Sequence, residues 1–210
     1  AWTQLAPTQW PMRIPSGLSA AFHTTRGETL VLSGAMGDAW AWDGTTWIDR
    51  SPVETQVARA NISGAFDAIR GELVWFGGVF PQTNGAGQID TWRWNGTTWQ
   101  GGLAPTIPSR RHTTAMAFDA VRGEVVMFGG SNGIASKNDT WAWNGSTWTQ
   151  RTPATNPPAR AGHKMAFDAA RGEIVMTGGI NDGKTWIWNG TDWAERVTVT
   201  PAPDLSGGPL

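Results

Sequence analysis

The sequence predicts an all-β domain assembled from four copies of one unit, and three observations carry that prediction. A signature Trp-x-Trp-(Asn/Asp)-Gly-(Thr/Ser)-x-Trp recurs at Trp40 to Trp47, Trp92 to Trp99, Trp141 to Trp148 and Trp186 to Trp193, an interval of about 49 residues. Each signature is preceded by a Phe, an Arg-Gly-Glu turn and an apolar run closing on Gly-Gly or a single Gly. These landmarks are Phe22, Arg26, Glu28 and Gly34; Phe66, Arg70, Glu72 and Gly77-Gly78; Phe118, Arg122, Glu124 and Gly129-Gly130; Phe167, Arg171, Glu173 and Gly178-Gly179. Finally, 27 Gly and 13 Pro in 210 residues require many short strands and turns. A fixed period of this size marks a radial or stacked array, so the recurring residues are expected to be scaffold.

Within a unit the first strand ends at the Phe, as in residues 160–167, where Met165 and Phe167 alternate with smaller or polar residues. Asp67, Asp119 and Asp168 then stand where a carboxylate accepts turn N–H groups, and the Arg-Gly-Glu glycine supplies positive φ. The second strand, 73–76, 125–128 or 174–177, is apolar almost without a break and is expected to be buried on both faces. Its Gly-Gly end admits close backbone approach. The third strand is Thr-Trp-x-Trp in three copies. Asn-Gly or Asp-Gly follows as a two-residue hairpin turn into the fourth strand, which carries the last Trp.

Four antiparallel strands per unit, Gly-Gly after the second, and spaced tryptophans on the third and fourth resemble the kelch repeat of β-propellers, over residues 1 to about 200. The resemblance implies a propeller of four four-stranded blades, at about 16–50, 58–102, 109–152 and 159–199, with a linker or strap at 201–210. Trp stands where kelch repeats often carry Tyr, and this chain has no Tyr. The turn from Trp143 to Trp148 also looks like a degenerate Asp-box of sialidase propellers, without its Ser-x-Asp start. Trp2-Thr3-Gln4-Leu5-Ala6-Pro7 matches Trp148-Thr149-Gln150-Arg151-Thr152-Pro153, which gives residues 1–8 the pattern of an extra outer strand. The ring then closes by displacing the last outer strand, or the blades belong to a larger propeller or assembly.

A net charge of −1 without a basic block gives no electrostatic footprint for nucleic acid, and apolar runs of strand length exclude a membrane-spanning helix. Zero Cys excludes disulfides and thiolate chemistry. The start at Ala1, without Met or a signal-peptide pattern, reads as a processed or trimmed end. His23, His112 and His163 occupy inequivalent positions in their copies, so they are not expected to converge on a metal. Without Tyr or Cys, the copper-radical chemistry of kelch-like galactose oxidases has no residues here. Of five Asn-x-Ser/Thr triplets, at Asn61, Asn95, Asn138, Asn144 and Asn189, three are the third-to-fourth-strand turn itself. Neither a nucleophile elbow nor a phosphate loop is present, and no catalytic residue, metal or cofactor is assigned.

The repeats differ chiefly in the connections between second and third strands (35–39, 79–90, 131–139, 180–184) and between units (51–58, 101–109, 152–159). Variable loops on a rigid scaffold are the usual place for recognition. The expected binding face therefore carries Phe80, Gln82, Asn84, Asn132, Lys137, Asn181 and Lys184. Aligned copies also show Arg59, Arg111 and Arg160 at one position and Asp38, Asp90 and Asp139 at another. Pairing each Asp with the Arg of the following copy (Asp38 with Arg59, Asp90 with Arg111, Asp139 with Arg160) leaves no member over, whereas pairing within a copy strands Asp38 and Arg160. Inter-blade ion pairs are expected on this basis. The functional expectation is a non-catalytic module binding a protein or glycan through the variable face. Its style of repeat resembles bacterial secreted or surface kelch proteins, which implies an extracellular or cell-surface location. The alternatives are a structural subunit, a homo-oligomer completed by spare outer strands, and a propeller glycosidase or lyase working from paired carboxylates near the axis.

Overall fold

The computed structural model describes residues 6–7, 18–33, 38–51, 59–80, 87–179 and 183–197. These residues form β1 (Leu18–His23), β2 (Glu28–Ser33), β3 (Asp38–Trp42), β4 (Trp47–Asp49), β5 (Ser63–Asp67), β6 (Glu72–Phe76), β7 (Thr91–Trp94), β8 (Trp99–Gly102), β9 (Ala115–Asp119), β10 (Glu124–Phe128), β11 (Thr140–Trp143), β12 (Trp148–Arg151), β13 (Lys164–Asp168), β14 (Glu173–Thr177), β15 (Thr185–Trp188) and β16 (Trp193–Arg196). They make four antiparallel sheets of four strands in simple meander order, which are the four blades of a propeller arrangement. Apart from Ala6 and Pro7, the extra outer strand expected at 1–8 lies outside the described residues, as does the tail at 201–210.

The turns explain why these segments pair in this register. Asp67 Oδ1 accepts the N–H groups of Ile69 and Arg70, Asp119 those of Val121 and Arg122, and Asp168 those of Ala170 and Arg171. The second oxygen of each carboxylate takes the turn arginine, at 2.6, 2.8 and 2.7 Å. At the other hairpin the structure corrects the expected two-residue turn. Trp42 pairs with Trp47, Trp94 with Trp99, Trp143 with Trp148 and Trp188 with Trp193, enclosing a four-residue loop. The reason is an Asx turn: the Oδ1 of Asp43, Asn95, Asn144 or Asn189 accepts the backbone N–H groups two and three residues on, which fixes a wider loop than a bare Asn-Gly reverse turn.

Blades pack through three apolar seams. Leu30, Ala39 and Ala41 of blade one meet Leu73, Trp75 and Trp94 of blade two. Ala65, Val74 and Phe76 then meet Val125, Met127, Trp143 and Trp148. Ala117, Val126 and Phe128 meet Ile174, Met176, Trp188 and Trp193. Each blade thus shows tryptophans and long aliphatics to the preceding blade and mostly smaller residues, joined by Phe76 in blade two and Phe128 in blade three, to the following one. Innermost strands touch in sequence, β1 with β5, β5 with β9 and β9 with β13, while among the described residues no comparable packing joins β13 to β1. This corrects the second-strand expectation for one blade. β10 is buried throughout and β6 nearly so, but β14 alternates buried and half-buried residues because, among the described residues, no blade packs on its downstream face.

Candidate binding face

The described parts of the connections named above as variable form one rim. Isolated bridges Ala60↔Val79, Gln88↔Arg111, His112↔Ser131 and Lys137↔Arg160 knit its loop bases together, two within a blade and two across seams. Arg111 shows how. Its N–H donates to Gln88 O at 3.2 Å and its carbonyl accepts from Gly78 N at 3.1 Å, so its backbone belongs to the seam with blade two. Gly77 and Gly78 have positive φ there, and a Cβ on Gly77 would overlap the Arg111 carbonyl. Its side chain turns the other way. Nη1 donates to Gly129 O at 3.0 Å and to Asp139 Oδ1 at 2.7 Å, and Nη2 donates to Asp139 Oδ2 at 2.7 Å. Trp141 Nε1 completes the cluster by donating to Asp139 Oδ2 at 2.7 Å.

Two Arg-Asp pairs exist among the residues expected to pair, with partners other than those expected. Arg59 binds Asp90 and Arg111 binds Asp139, each bidentate and within its own blade, not Asp90 with Arg111 across the seam. At Arg111 the reason is that its backbone is engaged by the preceding blade, and the guanidinium of both arginines reaches back over its own blade's Gly77 or Gly129 carbonyl. Arg160 follows the same plan. Its backbone N–H donates to Lys137 O at 3.0 Å, and its Nη1 donates to Gly178 O at 3.4 Å in its own blade. Lys184 stands where the other blades have Asp, and it pairs with Glu195 at 2.8 Å. The Asp38 side chain lies outside those described. Burial alone would raise the carboxyls of Asp90 and Asp139; the guanidinium and indole donors outweigh it and hold both below the usual carboxylate range.

Of the expected contact residues, Gln82, Asn84 and Asn181 lie outside the described residues. Phe80 is half-buried with the Arg59 guanidinium 4.6 Å from its ring centroid. Asn132 Oδ1 accepts from Ile134 N and Ala135 N, so it shapes its own loop. Lys137 is half-buried beside that loop. The residue sequence reasoning missed is Ile134, at 95% exposure on the loop tip. Its signal was legible: one large apolar residue in the polar run Ser131-Asn132-Gly133-Ile134-Ala135-Ser136-Lys137-Asn138.

The opposite rim is occupied by blade-to-blade contacts. Arg26, Arg70 and Arg122 of the Arg-Gly-Glu turns each lie against the loop glycine of the next blade, Gly96, Gly145 and Gly190, close enough that a Cβ would overlap the guanidinium. Around the axis, a cavity of about 200 Å³ is lined by residues including Ala20, Ser63, Thr114, Met116, His163 and Lys164; no carboxylate lines it among the described residues. His163 is buried against Phe128, and burial lowers its imidazole to about 3, with Arg160 adding to the effect. No cluster of three metal-ligating side chains occurs among the described residues. In comparisons with known proteins, no family model matches the chain and no curated protein matches it.

Proposed function

We propose that the chain is a kelch-type, non-catalytic propeller module that binds a protein or glycan through its variable-loop rim, outside the cytoplasm. The division of labour between the rims carries this reading. On the turn rim the same residues make the same blade-to-blade contacts at each seam, Arg26 on Gly96, Arg70 on Gly145 and Arg122 on Gly190. On the loop rim, buried Arg-Asp pairs brace the loop bases while the loops differ in length and content. A rigid base under divergent tips is how recognition loops are built. Ile134 and the neighbouring Lys137 then supply an apolar anchor and a charge. The test is a screen of the chain, alongside Ile134→Asp and Lys137→Glu, on a glycan array and a displayed library of extracellular proteins. The expected result is a ligand whose binding falls at least about tenfold in Ile134→Asp at unchanged melting temperature. A ligand whose binding both variants preserve would move recognition off this rim.

A further inference from the structure

The internal seams are made by recurring two-sided fittings, and among the described residues the outward faces of blades one and four carry halves left unmated. At the seams, Trp148 Nε1 donates to Thr91 Oγ1 and Trp193 Nε1 to Thr140 Oγ1, both at 2.9 Å; at the first seam Ala39 replaces the Thr and Trp99 Nε1 reaches Arg50 O at 3.4 Å. The turn arginine over the next loop glycine is the second fitting. The apolar ladder is the third.

On blade four the downstream halves remain. Arg171 is 69% exposed at its side chain, against 32% and 33% for Arg70 and Arg122, and no loop glycine faces it among the described residues. Thr185, counterpart of the buried Thr91 and Thr140, is half-buried, and Ala166 is exposed where Ala65 and Ala117 are buried. On blade one the upstream halves remain. Gly44 has positive φ like Gly96, Gly145 and Gly190, yet a Cβ there would meet nothing within 4 Å. Phe22 is 53% exposed, and Trp47 is half-buried, as Trp99 is at the first seam, where Trp148 and Trp193 are fully buried.

We propose that the blade-four face binds the blade-one face of a second copy of the chain, head to tail, remaking the seam between copies. Arg171 then covers the partner copy's Gly44, Thr185 accepts the Trp47 indole, and Ala166 and Val175 pack under Phe22 and Trp42. The blade-one face presents the loop glycine, the indole donor and the aromatic residues that the internal seams set against a downstream face. This contact differs from exchange of outer strands, because it joins faces and not strand edges. Being heterologous, it yields a closed ring when the rotation closes and a filament when it does not.

The mass of the chain by light scattering over a wide concentration range, with two exposed-face variants, tests it. Ala166→Arg blocks the blade-four face and Phe22→Asp the blade-one face; both positions are exposed, and a melting curve confirms folding. The expected result is wild type at a multiple of 22.6 kDa, each variant alone at 22.6 kDa, and their equimolar mixture at twice 22.6 kDa and no larger, because each variant keeps the half the other lacks. A wild type that stays at 22.6 kDa throughout would overturn the proposal. So would assembly that either variant leaves intact, or variants that fail to complement one another.

Discussion

Blades three and four share the landmarks of the repeat, and at Ala117/Ala166, Val126/Val175 and Thr140/Thr185 the same residue, but differ in what stands beside them. On the downstream face of blade three, Ala115, Ala117, Val126, Phe128, Thr140 and Ala142 are all buried. Their counterparts in blade four are Lys164, Ala166, Val175, Thr177, Thr185 and Ile187; the first two are exposed, the next three half-buried, and Ile187 alone is buried. The motif thus fixes the strand and its register, while the neighbouring blade decides whether a side chain becomes core. Stability should accordingly be concentrated at seams, with equivalent residues at the ends counting for little.

The widest gap is expected between Asp139→Ala and Lys184→Ala, the same position in the two blades. The first strands the fully buried Arg111 guanidinium and should cost about 3–5 kcal/mol. The second removes an exposed pair and should cost less than about 1 kcal/mol. Urea melts check it, and equal losses would break the comparison.

Next comes Trp148→Phe against Trp47→Phe. Trp148 gives up a buried bond to Thr91 and some packing volume, for about 2–3 kcal/mol, and Trp47 under about 1 kcal/mol in the monomer. A thermal shift as large at Trp47 would mean that its outward face is covered within the chain.

Acid sharpens the picture at the third seam. His163 is neutral when folded, with its imidazole lowered to about 3, while the unfolded chain binds that proton near pH 6.5. Its contribution is complete above the unfolded value and is lost as pH falls, at about 1.4 kcal/mol per pH unit and roughly 2 kcal/mol by pH 5. His163→Leu should reduce the slope of stability between pH 6.5 and 4.5, the rest coming from His23 and His112, whose imidazoles burial also lowers, in a window in which Asp90 and Asp139 stay ionised. Parallel acid curves for the two proteins would rule out His163 as the source.

The smallest effect is a gain. Thr113 sits at φ 50° and Gly162 at φ 75° at equivalent positions, and Gly162 N donates to Thr113 O at 2.9 Å. Thr113→Gly should relieve the β-branched strain and stabilise by about 1 kcal/mol, measured as a raised melting temperature. A loss would show that the Thr113 hydroxyl bond to His112 O outweighs the strain.

The blades were legible in the sequence because each is bounded by local chemistry: the Asp turn, Arg-Gly-Glu, Gly-Gly and the paired tryptophans all act within a few residues. The partner of Arg111 was not legible, because a periodic sequence is unchanged by a shift of one period. Asp90 and Asp139 are equivalent by alignment, and only the Arg111 backbone bonds to Gln88 and Gly78 send its side chain to Asp139. Counting unmatched ends chose the wrong register for the same reason. On the candidate face, the position of the rim followed from strand alternation. Which tips reach solvent did not, since Asn132 folds inward to cap its own loop and leaves Ile134 outermost.

The bond from the fourth-strand tryptophan back to the preceding threonine has a direction: copies two to four carry a plug on one side and a socket on the other, and copy one, with Ala39 in place of the threonine, carries the plug alone. An extra copy gained by tandem duplication would therefore arrive with both fittings already cut to suit its new neighbours, and a lost copy would leave the flanking two able to rejoin. The number of blades can then drift by recombination between repeats without any single seam having to be reinvented.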